Sequence, residues 1–251
     1  MSKHLKRLNS PRVLRLNRKS NKWTIKPSPG PHKINKSISL GLIIRDYLKL
    51  CDNLKEAKRV IVDKEILVDN CIRKNYKFPC GFMDIISIPK MKKYYRILFD
   101  KAGKLTMTPI TSAETEWKLC RIEGKTIIKG KKTQLNLHDG KNIIVDKDGY
   151  KKGDVLKIQL KDNKIQESYP LIKGSISMII GGSHIGEIAN INELIIIPSS
   201  KSNIAKMQGI NEFSTHQEYV FPIGKNKAII STPEVKILWS KKIIKLKINF
   251  Q

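Results

Sequence analysis

The sequence predicts an α+β protein that is mainly β, with a basic N-terminal arm ahead of a short helical segment. Three observations support this class. The first 37 residues are rich in Lys, Arg and Pro and contain no acidic residue. Apolar residues then recur at helical spacing between about residues 38 and 62, which favours two short helices. From about Tyr95 onward, short apolar runs alternate with turn signals, which is typical of small antiparallel barrels or sandwiches.

The N-terminal arm, residues 1–37, carries eleven Lys and Arg residues, and the first acidic residue of the chain is Asp46. Its four prolines exclude a long helix. A segment with so much charge and so little apolar surface is not expected to condense alone. We expect it to fold against phosphates, with Trp23 and the Pro27–Pro31 turn as its only anchor. A floppy tail is the alternative.

Residues 38–95 are expected to form a compact unit of two helices followed by strands. The first helix is predicted over residues 38–50, and the second follows Asp52 or Asn53 as its N-cap. The outward face of the second helix is basic, with Lys55, Lys58 and Arg59. Strands are predicted over residues 66–68 and 83–88, with a turn at residues 69–70.

The rest of the chain is predicted to be β structure in three parts. These are a central β domain (96–170), a small barrel (171–208), and C-terminal strands with a basic tail (209–251). Predicted strands include residues 95–99, 126–128, 143–145, 155–160 and 176–180. One further short helix is predicted over Ser112–Leu119, because Ser112 can cap it and two glutamates follow in its first turn.

The loop Gly181–Gly186 raises the question of a phosphate-binding motif. A P-loop needs Lys and Ser or Thr after its last glycine, and here Glu187 and Ile188 follow. A dinucleotide fingerprint would open a helix, whereas the next residues have the pattern of a strand. The loop is therefore interpreted as a turn of the small barrel.

Net charge is the largest departure from an ordinary protein. The chain has 49 Lys and Arg against 22 Asp and Glu, which gives a formal charge of +27 and a pI near 10.0. Such a charge repels itself unless a partner neutralises it. A polyanion does so most effectively, because each phosphate contact releases condensed counterions. We therefore favour a nucleic-acid partner over a protein that is merely very soluble.

No pattern in the chain predicts an enzyme or a cofactor. No nucleophile elbow or zinc-protease motif occurs, and the five histidines have no carboxylate at a fixed spacing. The four cysteines form no C-x-x-C pair, so we expect small buried side chains in a reducing cytosol and no metal site. No run approaches the ~20 apolar residues that span a bilayer. A soluble cytoplasmic protein with neither a membrane nor a small-molecule partner is expected.

Several blocks of sequence, in order, resemble one family. The segment 78–89, FPCGFMDIISIP, is similar to the F-P-x-G-F-M-D-V-I-S-I-P segment of the e-type S-four ribosomal proteins of archaea and eukaryotes. Segment 179–186 resembles the KOW motif of that family, although Glu187 and Ala189 depart from its usual residues. Further blocks that match are residues 3–9, 27–33, 118–121, 137–141 and 221–225. Residues 136–141 and the short C-terminus favour the archaeal branch.

The resemblance implies an S-four-like RNA-binding module at residues 38–95, a KOW or SH3-like barrel at 171–208, and a structural role in the small ribosomal subunit. Small-subunit ribosomal RNA and neighbouring ribosomal proteins are the expected partners. The residues expected to contact RNA are basic: Lys3, His4, Lys6, Arg7, Arg12, Lys33, Lys55, Lys58, Arg59, Lys64, Arg73 and Lys141. Two alternatives stay open: an RNA-modifying enzyme tethered by the same module, whose catalytic Asp motif is not found, and a free regulatory RNA-binding protein.

Overall fold

Three five-stranded antiparallel sheets follow one another along the chain, with a small helical pair packed on the first. A computed structural model describes residues 4–146, 149–209, 211–225 and 227–232. Short 3-10 turns link the elements at Arg7–Asn9, Ile34–Lys36, Pro89–Met91, Ala113–Glu116 and Gln217–Tyr219. The predicted class, mainly β with few helices, is confirmed.

The N-terminal arm folds back on the protein, and its anchors differ from the predicted ones. Strands β1 (Leu5–Lys6) and β2 (Trp23–Thr24) pair as a small hairpin. Leu14 and Ile25 are buried in the main apolar core, whereas Trp23 is 48% exposed. The prediction of Trp23 as an anchor is therefore wrong, because smaller aliphatic side chains fill the space under the arm. The Pro27–Pro31 turn is held, since the Ser28 amide donates to the Lys77 carbonyl (2.9 Å).

The helical pair begins two residues later than predicted. Residues Ser37–Ser39 form strand β3, which pairs with β6 (Pro79–Gly81) and so cannot join the helix. Helix α1 (Leu40–Leu42) continues as a π-helical turn over Ile43–Tyr47, and its buried aliphatic side chains face the core.

Helix α2 (Leu54–Val62) starts where the sequence predicted. The Glu56 carboxylate accepts hydrogen bonds from the backbone amides of Asp52 (3.1 Å) and Asn53 (3.4 Å), which closes a capping box. Ala57 and Ile61 are buried on the inner side of the helix. The charged side chains of α2 are consequently left on the outer side.

The first sheet has the strand order β5-β4-β7-β8-β9. Its strands are β4 (Leu67–Val68), β5 (Cys71–Ile72), β7 (Ile85–Ile88), β8 (Lys93–Phe99) and β9 (Leu105–Pro109). Asp69 and Asn70 both have left-handed φ angles, as the tight β4–β5 hairpin requires. The predicted boundary at residue 95 falls inside β8, which pairs with β7 and β9 and therefore keeps residues up to 109 with this unit.

The second sheet has the order β12-β11-β10-β13-β14. Its strands are β10 (Trp117–Ile127), β11 (Thr133–Leu137), β12 (Asn142–Val145), β13 (Val155–Gln159) and β14 (Ile165–Tyr169). The predicted helix over Ser112–Leu119 is wrong: only one 3-10 turn forms, and Trp117 begins β10. Residues 117–121 pair residue by residue with β13, and this pairing outweighs the local helical signal.

The third sheet has the order β18-β17-β16-β15-β19. Its strands are β15 (Ile176–Ile179), β16 (Ile188–Ile195), β17 (Ile204–Gln208), β18 (Glu212–His216) and β19 (Val220–Gly224). The predicted boundary at residue 208 would cut this sheet, because β18 and β19 pair with β17 and β15. The predicted basic tail from Val235 onward lies outside the described residues.

The glycine loop joins β15 to β16 as a hairpin, as predicted, and also touches the first sheet. Gly186 has a φ of +83°, and a Cβ there would lie 2.3 Å from the Asp100 carbonyl oxygen. Glycine is therefore needed for both the turn and the close approach of the two units. Within the loop, His184 stacks on Phe213 with ring centroids 4.1 Å apart and bonds to Glu187 (3.2 Å).

Candidate nucleic-acid interface

The exposed side of α2 forms part of a basic surface that continues into the loop after β5. Lys58 lies over the Tyr76 ring (4.5 Å), and Lys77 lies near the same ring (5.6 Å). Arg73 lies over the Phe78 ring (4.7 Å). These contacts hold the cations in place without neutralising them. We call this surface the helical basic face; it comprises Lys55, Lys58, Arg59, Arg73 and Lys77.

The arm lies against the helical unit. The Arg15 amide donates to the Tyr47 hydroxyl (2.9 Å), and the Arg15 guanidinium pairs with Asp100 (3.0 Å). Burial, the largest cause, raises the pKa of Tyr47 to about 12, so the hydroxyl stays protonated at neutral pH.

Arg7 lies in the interior, although it was predicted to contact RNA. It is only 3% exposed; its Nε donates to the Asn17 carbonyl (2.7 Å), and its guanidinium lies 3.9 Å from the Asp46 carboxylate. Arg7 thus joins the arm to the helical unit and has no surface to offer a phosphate. Nothing in the sequence distinguishes Arg7 from the other basic residues of the arm, so its buried structural role could not be predicted.

The other predicted contact residues lie at several separate places. His4, Lys6 and Arg12 are exposed on the arm, and Lys64 is exposed just after α2. Lys3 lies outside the described residues. Arg73 and Lys141 line one cavity of about 370 Å³, together with Gly30 and Pro31 of the arm. Lys33 lies on a different, larger groove.

A buried ionic cluster lies at the base of the smaller cavity. Lys118 is 1% exposed, and its Nζ donates to Asp69 (2.8 Å), Asp84 (2.5 Å) and Asp139 (3.3 Å). The His32 Nε2 lies 2.9 Å from the other Asp84 oxygen. We call these five residues the Lys118 cluster. It joins the arm, the first sheet and the second sheet at one point.

The electrostatics of the Lys118 cluster keep its ammonium charged. Burial alone would lower the pKa of Lys118, but attraction by the three carboxylates outweighs it, and the pKa lies well above its ordinary value. Burial likewise opposes ionisation of Asp84 and Asp139, yet Lys118 holds both pKa values below the ordinary range. For Asp69 burial prevails, and its pKa is raised. The cluster therefore joins the arm to the first and second sheets through buried, paired charges.

Four of the sequence blocks that carry the family resemblance meet in this cluster. His32, Asp84, Lys118 and Asp139 come from segments 27–33, 78–89, 118–121 and 137–141, respectively. The sequence did not predict that these four residues form one ionic cluster. A usable signal was present, since Asp84 stands between Met83 and Ile85, and Lys118 stands between Trp117 and Leu119.

The cysteines and the helices give no further site. Cys80 and Cys120 are buried as predicted, but Cys71 is exposed and Cys51 is half-buried, so the expectation that all four are buried is wrong for these two. Within the described ranges, no group of three or more His, Cys, Asp or Glu is placed to hold a metal ion. No helix in the same ranges is long and apolar enough to cross a membrane.

Two family models match the chain. Residues 91–165 match the model described as ribosomal family S4e, and residues 1–35 match that of the RS4NT (NUC023) domain. The second match covers most of the predicted arm, and the first includes β10 and Lys118.

Curated relatives and a solved structure extend the likeness to nearly the whole chain. Small ribosomal subunit protein eS4 of Methanothermobacter thermautotrophicus is 47% identical over 92% of this chain and 96% of its own length. The protein of the same name from Archaeoglobus fulgidus is 41% identical over 88% and 93%, respectively. The crystal structure of 30S ribosomal protein S4e from Thermoplasma acidophilum is 35% identical, covers 76% of this chain and 96% of the solved one, and has a TM-score of 0.67. The chain therefore belongs to the eS4 family of small-subunit ribosomal proteins, and the archaeal relatives agree with the predicted branch.

Proposed function

We propose that this protein is a structural constituent of the small ribosomal subunit, where it binds and braces ribosomal RNA in the cytoplasm and supports translation. The observation that carries the proposal is the helical basic face, where aromatic rings lie against Lys58, Arg73 and Lys77 and no carboxylate among the described residues pairs with the five cations. The particle, the small ribosomal subunit, is inferred from the names of the relatives. The family is one of structural ribosomal proteins, so the tethered-enzyme alternative is set aside.

The mode of binding follows from the chemistry of this face. Lysine and arginine side chains on a convex helical surface meet phosphates and 2′-hydroxyls, which is how folded RNA is mainly recognised. Lys6 and Arg12 are exposed on the arm and are included in the proposed contact set. Arg7 is left out of the proposed contact set because it is buried. The RNA is thus bound by shape and charge and not by base sequence.

The three sheets serve in this proposal as braces between RNA segments and neighbouring ribosomal proteins. We assign the third sheet as the KOW or SH3-like barrel, with β18 and β19 included in it. Its short antiparallel hairpin strands support this assignment.

Neutralising the helical basic face tests the RNA interface. In the triple variant Lys55→Ala, Lys58→Ala and Arg59→Ala, we expect the log–log salt slope of binding to small-subunit ribosomal RNA to fall by about 3, near one unit per lost phosphate contact. Filter binding over a salt series measures the slope.

A matched control is offered by the β10–β11 hairpin loop, where Lys129, Lys131 and Lys132 are also exposed and Lys132 pairs with Asp146 (3.0 Å). Their triple alanine variant removes the same charge and should leave the slope within one unit of the parent. Equal losses in the two variants would show that no particular face binds the RNA.

The amount of the protein in purified subunits distinguishes a structural constituent from a free regulatory protein. Each purified subunit should contain one copy, and a substoichiometric amount would contradict the structural role.

A further inference from the structure

A second groove, larger than the cavity above the Lys118 cluster, opens where the arm, the second sheet and the third sheet meet. Its volume is about 990 Å³. It is lined by arm residues next to His32, by the loop before β13, by the loop between β16 and β17, and by the 3-10 turn before β19. This size is at the upper end of ligand pockets, roughly 300–1,000 Å³. It suits a small segment of a polymer and excludes a duplex.

The walls of the groove are cationic. Lys33 and Lys36 come from the arm, Lys152 from the loop before β13, and Lys201 from the loop before β17. All four are exposed, and none forms an ion pair with a carboxylate in the described part of the chain. Three separate parts of the molecule therefore direct uncompensated charge toward one space.

The remaining charges in the groove do not cancel these lysines. Arg121 is held by Glu123 and by the carbonyl oxygens of Glu218 (2.7 Å) and Val220 (3.2 Å). Glu218 is the other carboxylate in the lining, so five cations stand against two anions. The groove is complementary to an anionic ligand with several charges.

The groove also contains a flat aromatic surface. Tyr219 lines it and is half-buried. The ring lies so close to the Gly181–Gly182 backbone that a Cβ on Gly181 would come within 2.6 Å of it. The glycine pair therefore allows the ring to lie close against the β15–β16 hairpin, and His216 meets the same ring at 80° with centroids 5.6 Å apart. Aromatic rings beside lysines are the two parts from which single-stranded nucleic-acid sites are built.

We propose that this groove binds an unpaired stretch of RNA, with backbone phosphates on Lys33, Lys152 and Lys201 and one base stacked on Tyr219. The site rests on the proposed ribosomal RNA binding and adds to it a ligand of a different kind. The helical basic face binds folded RNA by its shape, whereas the groove binds one or two unstacked nucleotides. Unpaired bases are the part of RNA that aromatic side chains can reach.

The test uses the full chain and a fluorescently labelled hexauridylate as the probe. In the triple variant Lys33→Ala, Lys152→Ala and Lys201→Ala, the salt slope for this probe should fall by about 2, near 0.7 per contact on a single strand. The hairpin triple at Lys129, Lys131 and Lys132 removes equal charge and should change it little. If the two triple variants lower the salt slope for the probe equally, the proposal that the groove binds it is overturned.

Tyr219 provides a readout that charge alone would not move. Tyr219→Ala should weaken hexauridylate about tenfold, the loss of one base stack, and Tyr219→Phe should restore binding. Circular dichroism melting confirms that both variants are folded before binding is compared. Failure of phenylalanine to rescue would overturn the stacking role.

Two outcomes separate this proposal from the proposed function. If the groove triple leaves hexauridylate binding unchanged while the α2 triple still weakens ribosomal RNA, the groove is refuted and the ribosomal role stands. If parent protein binds a labelled oligoglutamate in the groove more tightly than hexauridylate, the occupant is an acidic protein segment and the proposal is overturned. If the parent protein does not bind small-subunit ribosomal RNA, the proposed function is refuted instead.

Discussion

Replacing Lys118 by methionine is expected to lower the free energy of unfolding by about 3–5 kcal/mol, the cost of leaving a buried charge without its partner. The substitution keeps an unbranched side chain of similar length, one atom shorter, and removes the ammonium that three carboxylates share. Asp84 and Asp139 are almost fully buried and would then repel each other in a medium that stabilises charge poorly. Urea unfolding at pH 7 measures the loss.

The matched control is Lys206→Met on the exposed Lys206–Glu193 pair, whose ion-pair distance is 2.9 Å. A surface pair of this kind contributes at most about 1 kcal/mol, so this variant should unfold close to the parent. The Lys118→Met loss should also shrink as the pH falls toward 4, because the unpaired carboxylates can then take up protons. A loss that is small at pH 7, or independent of pH, would contradict the role of the cluster as a structural joint.

Lowering the pH from 7 to 4.5 is expected to destabilise the folded chain through His138. Burial, reinforced by Lys118, lowers the pKa of His138 to about 4. Its Nδ1 accepts a hydrogen bond from the Arg121 amide (3.2 Å), so the folded state requires the neutral ring. An unfolded histidine takes up its proton near pH 6.5, so the unfolded state binds more protons between the two values. Stability is therefore full above pH 6.5 and falls by roughly 2–3 kcal/mol toward pH 4.

His138→Asn separates this titration from the other acid-sensitive groups. The asparagine oxygen can replace Nδ1 as acceptor for the Arg121 amide but does not titrate. Urea midpoints measured from pH 7 to 4.5 should fall less steeply in this variant than in the parent. The lowered pKa values of Asp84 and Asp139 act in a different window, since the stability that they contribute is lost only below about pH 4. Parallel pH profiles for the two proteins would refute the assignment.

Local signals predicted those elements whose own residues decide them. The N-cap of α2, the Asp69-Asn70 hairpin and most of the β strands could be predicted because capping, left-handed turn geometry and apolar patterning act over a few residues. The segment Ser112–Leu119 shows the limit of such signals. Its local pattern favours a helix, but residues 117–121 instead form a strand because they pair with β13, which lies far along the chain. Trp23 failed as an anchor for a related reason, because which apolar residue is buried depends on the surface that the arm meets.

The sequence by itself determined the mainly β class, the positive charge, the family and the basic outer side of α2, since each of these follows from composition, local period or ordered motifs. Only the tertiary structure decided what the individual charged residues do. Arg7 and Lys118 are interior and structural, while Lys33, Lys152 and Lys201 converge on one groove from three segments. The physical reason is that burial and charge complementarity depend on distances between segments remote in sequence, and the packing of the units against one another sets those distances.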